Sequence, residues 1–487
     1  MRGGRVVKQS LLGGIAAVLI ALPAAAPADT LREALQQAYQ YNPTLNAARA
    51  GQRANDENVP LALANGRPNL NGTATYTEAV RRSPNSFTSP SRIGQAQLSL
   101  EVPLYQGGGV ANGIRAAEAR VEAGQEDLRT SEANLFTQVV AAYLDVISNR
   151  NIVELNSNQV RVLSTNFQAT SDRFEIGDLT RTDVAQAEAR LQLARSSLET
   201  AQAELVASEE NYLRLVGAWP ENLEPPPPLP DLPDAPATAE NIAIDNNPQL
   251  AASRYRVEAA RRDIDVAEAS RLPRLSAFAQ GNYNNYFGTL GSATAGAQFS
   301  QSETTANVGL RATVPIYQGG APSARVRQSQ ARFGQAQETV VETERQVVAT
   351  VRSAFARYQA ALDVIDSSAR AVEANELALE GTRAENSVGL RTILDILNAE
   401  QELLNSQVDL VSARRNAYVA GFNLLAAMGE AEAEDLGLDG GILYRSEDNY
   451  RRVRNIWFDW DDDPMPVTQS TRTVDNPERP VVTIGEN

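Results

Sequence analysis

The chain has 487 residues, with 44 basic and 60 acidic side chains and a formal net charge of −16. It contains no cysteine and no histidine, which excludes disulfides, thiol chemistry, imidazole metal sites and histidine-based catalysis. The acidic balance argues against nucleic acid as a partner. The only catalytic chemistry left would rest on Asp, Glu, Tyr or Ser, and we expect no catalytic residue, no metal and no cofactor.

The first 28 residues have the composition of a secretory signal peptide. A basic start with Arg2, Arg5 and Lys8 precedes an apolar segment, and Ala26 and Ala28 form a small-x-small cleavage site. The apolar segment is too short to favour a membrane-spanning helix. Cleavage there would take the formal charge from −16 to −19, because three positive charges leave (−16 − 3 = −19).

Residues 29–220 and 237–428 read as two copies of one structural unit, joined by a Pro-rich linker at 221–236. An Asn-Pro-x-Leu motif opens a helix in each copy, at Pro43 and at Pro248. Proline is pre-organised for the first helical turn, and the asparagine before it can cap the helix.

Each copy contains two segments of alternating apolar and polar residues. They predict strands at about 68–80 and 95–105 in the first copy and at about 273–287 and 303–317 in the second. Phe278 departs from the alternation, because it falls on the polar side. Alternating segments of about ten residues with aromatic residues near their ends are typical of an outer-membrane barrel. The alternative is a soluble antiparallel sheet with one wet face.

Four strands cannot close a barrel, since an open edge in lipid leaves backbone groups unpaired. One chain therefore needs partners, and closed cyclic symmetry satisfies that need. After the second strand the pattern changes to that of helices at 110–174 and 180–216. The first of these would be about 100 Å long, which is enough to cross most of a periplasm.

The predicted hairpin tips lie at Gly177 and Gly389, which are 212 residues apart (389 − 177 = 212). Glycine allows one helix to end, and the threonine three residues later, Thr180 or Thr392, can cap the next. The helix after each tip carries small and apolar residues at alternating steps of three and four, which is the pattern of a coiled-coil seam. An ordinary bundle helix with an apolar stripe is the alternative.

In their order and duplication these motifs resemble those of the TolC family of outer membrane efflux proteins, the outer membrane factors of type I secretion and multidrug efflux. The resemblance covers Leu31 to about Met428. It implies a mainly α fold with membrane β structure, assembled as a homotrimer. In that trimer an α-helical coiled-coil barrel is continuous with a 12-stranded outer-membrane β-barrel, to which each chain gives four strands.

The resemblance also implies location and partners. The protein would lie in the outer membrane of a Gram-negative bacterium, in contact with its lipid, and would extend into the periplasm. Its expected partners are a periplasmic adaptor, also called a membrane fusion protein, and an inner-membrane transporter of the ABC or RND type. The expected function is a passive exit duct for secreted proteins, small toxic compounds or both.

Two other classes of function are open on the residues alone. A periplasmic coiled-coil adaptor or structural protein without a membrane barrel would have hairpins but no paired alternating strands. An enzyme would need a reactive constellation, and the best candidate is the aspartate cluster at 459–463, in an irregular context. Residues 429–487 lie outside the repeat, and we expect an acidic tail around the equator that is partly disordered.

The resemblance implies a gate at the periplasmic end, formed between the two tips. The matching positions are Arg391 on the second tip and Thr182 and Asp183 on the first. Guanidinium and carboxylate make a charge-assisted bond. Asn386 stands where the family has a tyrosine, so a weaker closed state is expected.

A pore constriction is implied just above the gate, where the family has two rings of aspartates. Asp395 matches one ring, and Asn398 stands at the place of the other. Three Asp395 carboxylates that face one another should favour cations and disfavour full ionisation.

Overall fold

The computed structural model describes residues 30–81, 89–291, 299–438 and 443–475. The predicted signal peptide and residues 476–487 of the predicted tail lie outside these ranges. Among the described helices, none is both long enough and apolar enough to cross a bilayer. In chain order the helices are α1 (Leu31–Tyr41), α2 (Pro43–Asp56), α3 (Asn58–Ala64), α4 (Gly109–Glu175), α5 (Arg181–Val216), α6 (Pro236–Asn246), α7 (Pro248–Ala269), α8 (Ala321–Ser387), α9 (Ile393–Met428) and α10 (Ser446–Val453). The strands are β1 (Asn69–Glu78), β2 (Arg92–Tyr105), β3 (Arg274–Asn285) and β4 (Ser302–Thr313).

The Asn-Pro motifs form helix starts in both copies. Asn42 caps α2, because its Oδ1 accepts hydrogen bonds from the backbone amides of Thr44 and Leu45 at 2.9 and 3.4 Å. Asn247 caps α7 in the same way, through two backbone amides at 3.0 and 3.2 Å. In each case proline occupies the first turn, where its missing N–H costs nothing.

The four strands form one antiparallel sheet in the order β1-β2-β3-β4. Leu70 lies opposite Leu100, Leu100 opposite Ala279, and Ala279 opposite Val308. Paired residues share a face of a sheet, so these four lie together on one apolar face. The outer edges of β1 and β4 carry no strand partner among the described residues.

The polar face of the sheet carries the one aromatic residue that broke the alternation. Phe278 lies opposite Glu101 and Gly309, on the side away from the leucines. A Cβ atom at position 309 would lie only 3.0 Å from the Phe278 ring, so the absence of a side chain at Gly309 leaves room for that ring. The guanidinium of Arg311 lies over the same ring, 5.0 Å from its centroid.

Two helical hairpins extend from the sheet. The first hairpin is α4 and α5, and the second is α8 and α9. The first helix of each has 67 residues and the second has 36. At about 1.5 Å per residue, each 67-residue helix is about 100 Å long. The equal lengths follow from the constant spacing of 212 residues between matching positions.

The largest group of buried side chains lies where both hairpins meet α1, α6 and the chain after Gly429. We call this group the equatorial cluster. Its fully buried members include Phe136, Tyr143, Tyr212 and Met428. Complete burial of a side chain of this size contributes about 1.5–3 kcal/mol each, so the cluster fixes both hairpins at mid-length.

The segment after α9 contributes to this core, although its sequence looked irregular. Glu432 accepts two hydrogen bonds from Arg129 at 2.8 and 2.9 Å, and the amide of Ala433 donates to Glu132 at 2.6 Å. Farther on, Val453 at the end of α10 is completely buried. Only residues 443–475 of the later tail are described, and they end in a 3₁₀ turn.

Candidate channel gate at the hairpin tips

The first tip is a short turn closed by a capping box. Gly177 adopts a positive φ of 83°, which ends α4, and Thr180 caps α5. The Oδ2 of Asp183 accepts hydrogen bonds from the amide and hydroxyl of Thr180 at 2.9 and 2.7 Å. Among the described residues, no donor reaches the second oxygen of this partly exposed carboxylate. These capping bonds lower the pKa of Asp183.

The second tip repeats this construction. Gly389 has a φ of 81°, and Thr392 caps α9. The Oδ2 of Asp395 accepts hydrogen bonds from the amide and hydroxyl of Thr392 at 2.9 and 2.8 Å. These bonds hold the pKa of Asp395 below its usual value. Within one protomer the shift is therefore opposite to the one that a ring of three facing carboxylates would produce.

The structure brings together two of the four predicted gate residues. The side-chain amide of Asn386 donates to the backbone carbonyl of Arg391 at 2.7 Å, which braces the turn. Arg391 in turn pairs through Nε with Glu385 at 2.7 Å, and both side chains are about half exposed. Thr182 and Asp183 lie on the other tip, and no described contact joins them to Arg391 within one protomer. Sequence reasoning missed Glu385, although a carboxylate six residues before the arginine, across a tight tip, could have indicated it.

Above the tips, Asn398 is bound to the first hairpin. Its Oδ1 accepts a hydrogen bond from Arg190 on α5 at 2.7 Å. Because the same face of α9 carries Asp395 one turn earlier, a cationic guanidinium stands beside the predicted constriction. The repeat alone gave no signal of this contact, since it joins residues 208 positions apart.

A second contact between the hairpins lies two residues further along α9. Glu400 is only 4% exposed, and its carboxylate accepts hydrogen bonds from Asn166 on α4 at 3.1 and 3.0 Å. Arg383 on α8 pairs with the same carboxylate at 3.0 Å. Glu188, which occupies the matching position in the first copy, is exposed. The two hairpins are thus equivalent in backbone but not in contacts, and a buried carboxylate connects three helices just above the tips.

Comparison with known proteins identifies the class. A family model described as "Outer membrane efflux protein" matches residues 34–218 and 241–430. These two ranges coincide closely with the two copies of the repeat, and together they cover most of the chain. The fold, a four-stranded sheet continued by two very long hairpins, is that of outer-membrane channel proteins. The chain belongs to the outer membrane efflux protein family.

Individual relatives extend over nearly the whole chain. It is 34% identical to the outer membrane efflux protein BepC of Brucella suis over 434 residues, which cover 89% of this chain and 92% of BepC. It is 28% identical to the outer membrane protein TolC of Escherichia coli over 467 residues, 91% of this chain and 93% of TolC. The solved structure of the Campylobacter jejuni CmeC outer membrane channel has the same fold, with a TM-score of 0.72 and 15% identity, covering 87% of this chain and 89% of CmeC. The protein is therefore located in the outer membrane and acts as an exit duct in export.

Proposed function

We propose that three copies of this chain form one closed duct, which passes substrates from an inner-membrane transporter and a periplasmic adaptor to the outside without catalysing a reaction. The observation that carries the proposal is the sheet. It has one apolar and one polar face, and both of its edges lack a partner strand among the described residues. In lipid those edges must be paired, and pairing β4 of one copy with β1 of the next satisfies every backbone group.

The periplasmic end of this duct is its gate in our proposal. Arg391 has two acidic groups to choose between, and each choice defines a state. In one, it pairs with Glu385 on its own tip, as it does within the protomer. In the other state, Arg391 pairs with Asp183 on the first tip of a neighbouring protomer. The second oxygen of that Asp183 carboxylate accepts no hydrogen bond from the described residues of its own protomer. The second choice joins neighbouring tips and closes the duct.

The energy of such a gate is modest for each copy and substantial for the trimer. An exposed ion pair contributes about 0–1 kcal/mol. If each Asp183 pair is about 1 kcal/mol more favourable than the Glu385 pair that it replaces, three symmetric pairs bias the equilibrium by roughly a hundredfold toward the closed state. A gate of that strength holds the resting duct shut, yet contacts with an adaptor can open it.

Single-channel recording in planar bilayers tests this gate. Arg391→Ser removes the donor from both pairs, so the single-channel conductance should rise. Glu385→Gln removes only the pair within the tip, which frees Arg391 for the neighbouring Asp183, so this variant should conduct less than the unmodified protein. Asp395→Asn keeps an acceptor for the cap but removes the charge, so its selectivity for cations should fall.

The opposite signs of the two substitutions separate a gate from a general loosening of the tip. If Arg391→Ser and Glu385→Gln both raise the conductance, competition between the two carboxylates is not the mechanism. If neither variant differs from the unmodified channel and Asp395→Asn keeps its selectivity, the tips do not form the constriction.

A further inference from the structure

The chain after α10 forms a loop that rises toward the sheet and returns. Arg67, two residues before β1, donates from Nη1 to the carbonyl of Ile456 at 2.7 Å, and its guanidinium lies 4.6 Å from the ring centroid of Trp457. Six residues beyond Trp457, Asp463 accepts two hydrogen bonds of 2.7 Å from Arg452 on α10. Both limbs of the loop are therefore held. We call residues 457–462 the apex.

The returning limb descends beside α2. The hydroxyl of Ser470 accepts a hydrogen bond from Asn46, near the start of α2, at 3.2 Å. Next to it, the Thr471 side chain lies against Gly217, at the end of α5. Because α2 and α3 lead from Asn46 up to β1, the tail runs antiparallel to them. With 14 and 7 residues, these helices supply about 30 Å of helical rise.

The apex therefore lies at the edge of the sheet from which the helices depart. This is the edge at which β1 and β3 begin and β2 and β4 end, which in an outer-membrane channel is the periplasmic face of the membrane. Three large aromatic side chains lie at this level. Trp457 is 58% exposed, Phe458 78% and Trp460 93%. Exposing so much aromatic surface on a braced loop is unfavourable in water. Trp is enriched at membrane–water interfaces, where part of the ring meets an apolar phase and its N–H meets water.

We propose that this apex is an interfacial anchor, which inserts Phe458 and Trp460 among the phospholipid headgroups on the periplasmic side of the outer membrane. The charges select the lipid. Asp459, Asp461 and Asp462 flank the rings, so the apex stays out of the hydrocarbon core and is repelled by an anionic surface. Zwitterionic headgroups, whose positively charged ammonium groups attract these carboxylates without the repulsion of a net anionic surface, are the favoured ligand. The anchor depends only on the membrane location of the protein and not on how the duct is gated.

Tryptophan fluorescence tests the anchor directly, because the chain has only three tryptophans. Trp219→Phe together with Trp457→Phe leaves Trp460 as the reporter, and phenylalanine at 457 keeps a ring for Arg67. Trp457→Phe with Trp460→Phe leaves Trp219 as the matched control. Trp219 follows Gly217, against which the returning limb of the tail lies, so it is far from the apex. Each full-length variant is placed in nanodiscs of phosphatidylcholine brominated either near the headgroup or near the end of the acyl chain.

The expected result is strong loss of Trp460 emission with bromine near the headgroup, a smaller loss with bromine near the chain end, and no loss from Trp219 in either lipid. Brominated phosphatidylglycerol should quench Trp460 less than brominated phosphatidylcholine does. Emission from Trp460 that is unquenched and water-like would overturn the proposal. Unquenched emission that is blue-shifted equally in nanodiscs and in detergent would also overturn it, because it would place the ring against protein, such as a neighbouring copy.

Discussion

Glu132 lies on α4 beside the equatorial cluster, in an environment that disfavours the ionised form of its carboxyl group. Burial raises its pKa from the usual 4.5 to about 7, although the amide of Ala433 donates to it. The charged groups around it are Glu432, Arg49 and Arg129. Arg129 is already engaged by Glu432, so it compensates Glu132 only in part.

The sign of the pH effect follows from the raised pKa. Between pH 4.5 and 7 the folded chain keeps a proton on Glu132 that the unfolded chain releases, so stability falls as the pH rises through this window. A rise of this size corresponds to about 3 kcal/mol at pH 8. Glu132→Gln removes the ionisable group and keeps the acceptor for Ala433. We expect the variant to raise the thermal unfolding midpoint at pH 8 and to leave it nearly unchanged at pH 4.5.

Arg129→Gln is the matched control for Glu132→Gln. Burial raises the pKa of both Glu132 and Glu432, and Arg129 opposes that rise, so its removal leaves two carboxylates with less compensation and should lower the unfolding midpoint at pH 8 instead of raising it. Calorimetry of the detergent-solubilised protein at both pH values checks the pair. A Glu132→Gln variant that is destabilised at pH 8 would show that the charged form of Glu132 is the one that the fold needs.

At the scale of the helices and strands, the sequence predicted what depends on local chemistry. Capping residues such as Thr180 and Thr392, and the alternation that placed Phe278 on the polar face, depend on a few neighbouring positions. The constant spacing of the tips follows from the internal repeat. The contacts of Glu400 could not be predicted, because Glu188 has the same place in the repeat and remains exposed. The contact that distinguishes Glu400 is with Asn166, which lies 234 residues away in the chain.

The contact between Glu400 and Asn166 connects the second hairpin to the first, just above the tips. A hydrogen bond to a charged group contributes about 1.5–3 kcal/mol, more than an exposed ion pair does. Asn166→Ala removes this bond and leaves the pair between Glu400 and Arg383 within the second hairpin. We expect the variant to hold its second hairpin less firmly and to open more often in planar bilayers.

Asn158→Ala provides the control for Asn166→Ala. Asn158 is exposed on the same helix, and among the described residues its side chain binds only Arg161, one turn away. Its replacement should leave the single-channel record unchanged. Equal opening frequencies in Asn166→Ala and Asn158→Ala would show that the bond between the hairpins does not restrain the gate.

For the whole molecule, the decisive question is which face of the sheet meets lipid in the proposed trimer. Val308 and Asn307 are adjacent residues at the middle of β4, they point to opposite faces, and both are exposed in the single chain. In the proposed trimer Val308 faces the bilayer and Asn307 faces the water-filled interior. An arginine at a lipid-facing midplane position costs about 2–4 kcal/mol, whereas one inside an aqueous lumen costs little.

Val308→Arg should therefore reduce the amount of trimer recovered from the outer membrane, while Asn307→Arg should assemble normally and shift the channel's ion selectivity toward anions. Mass measurement of the membrane-extracted protein, followed by reversal potentials in a salt gradient, distinguishes the two. The reverse ranking would place the apolar face inside the assembly, and equal recovery of both variants as soluble monomers would contradict a membrane sheet altogether.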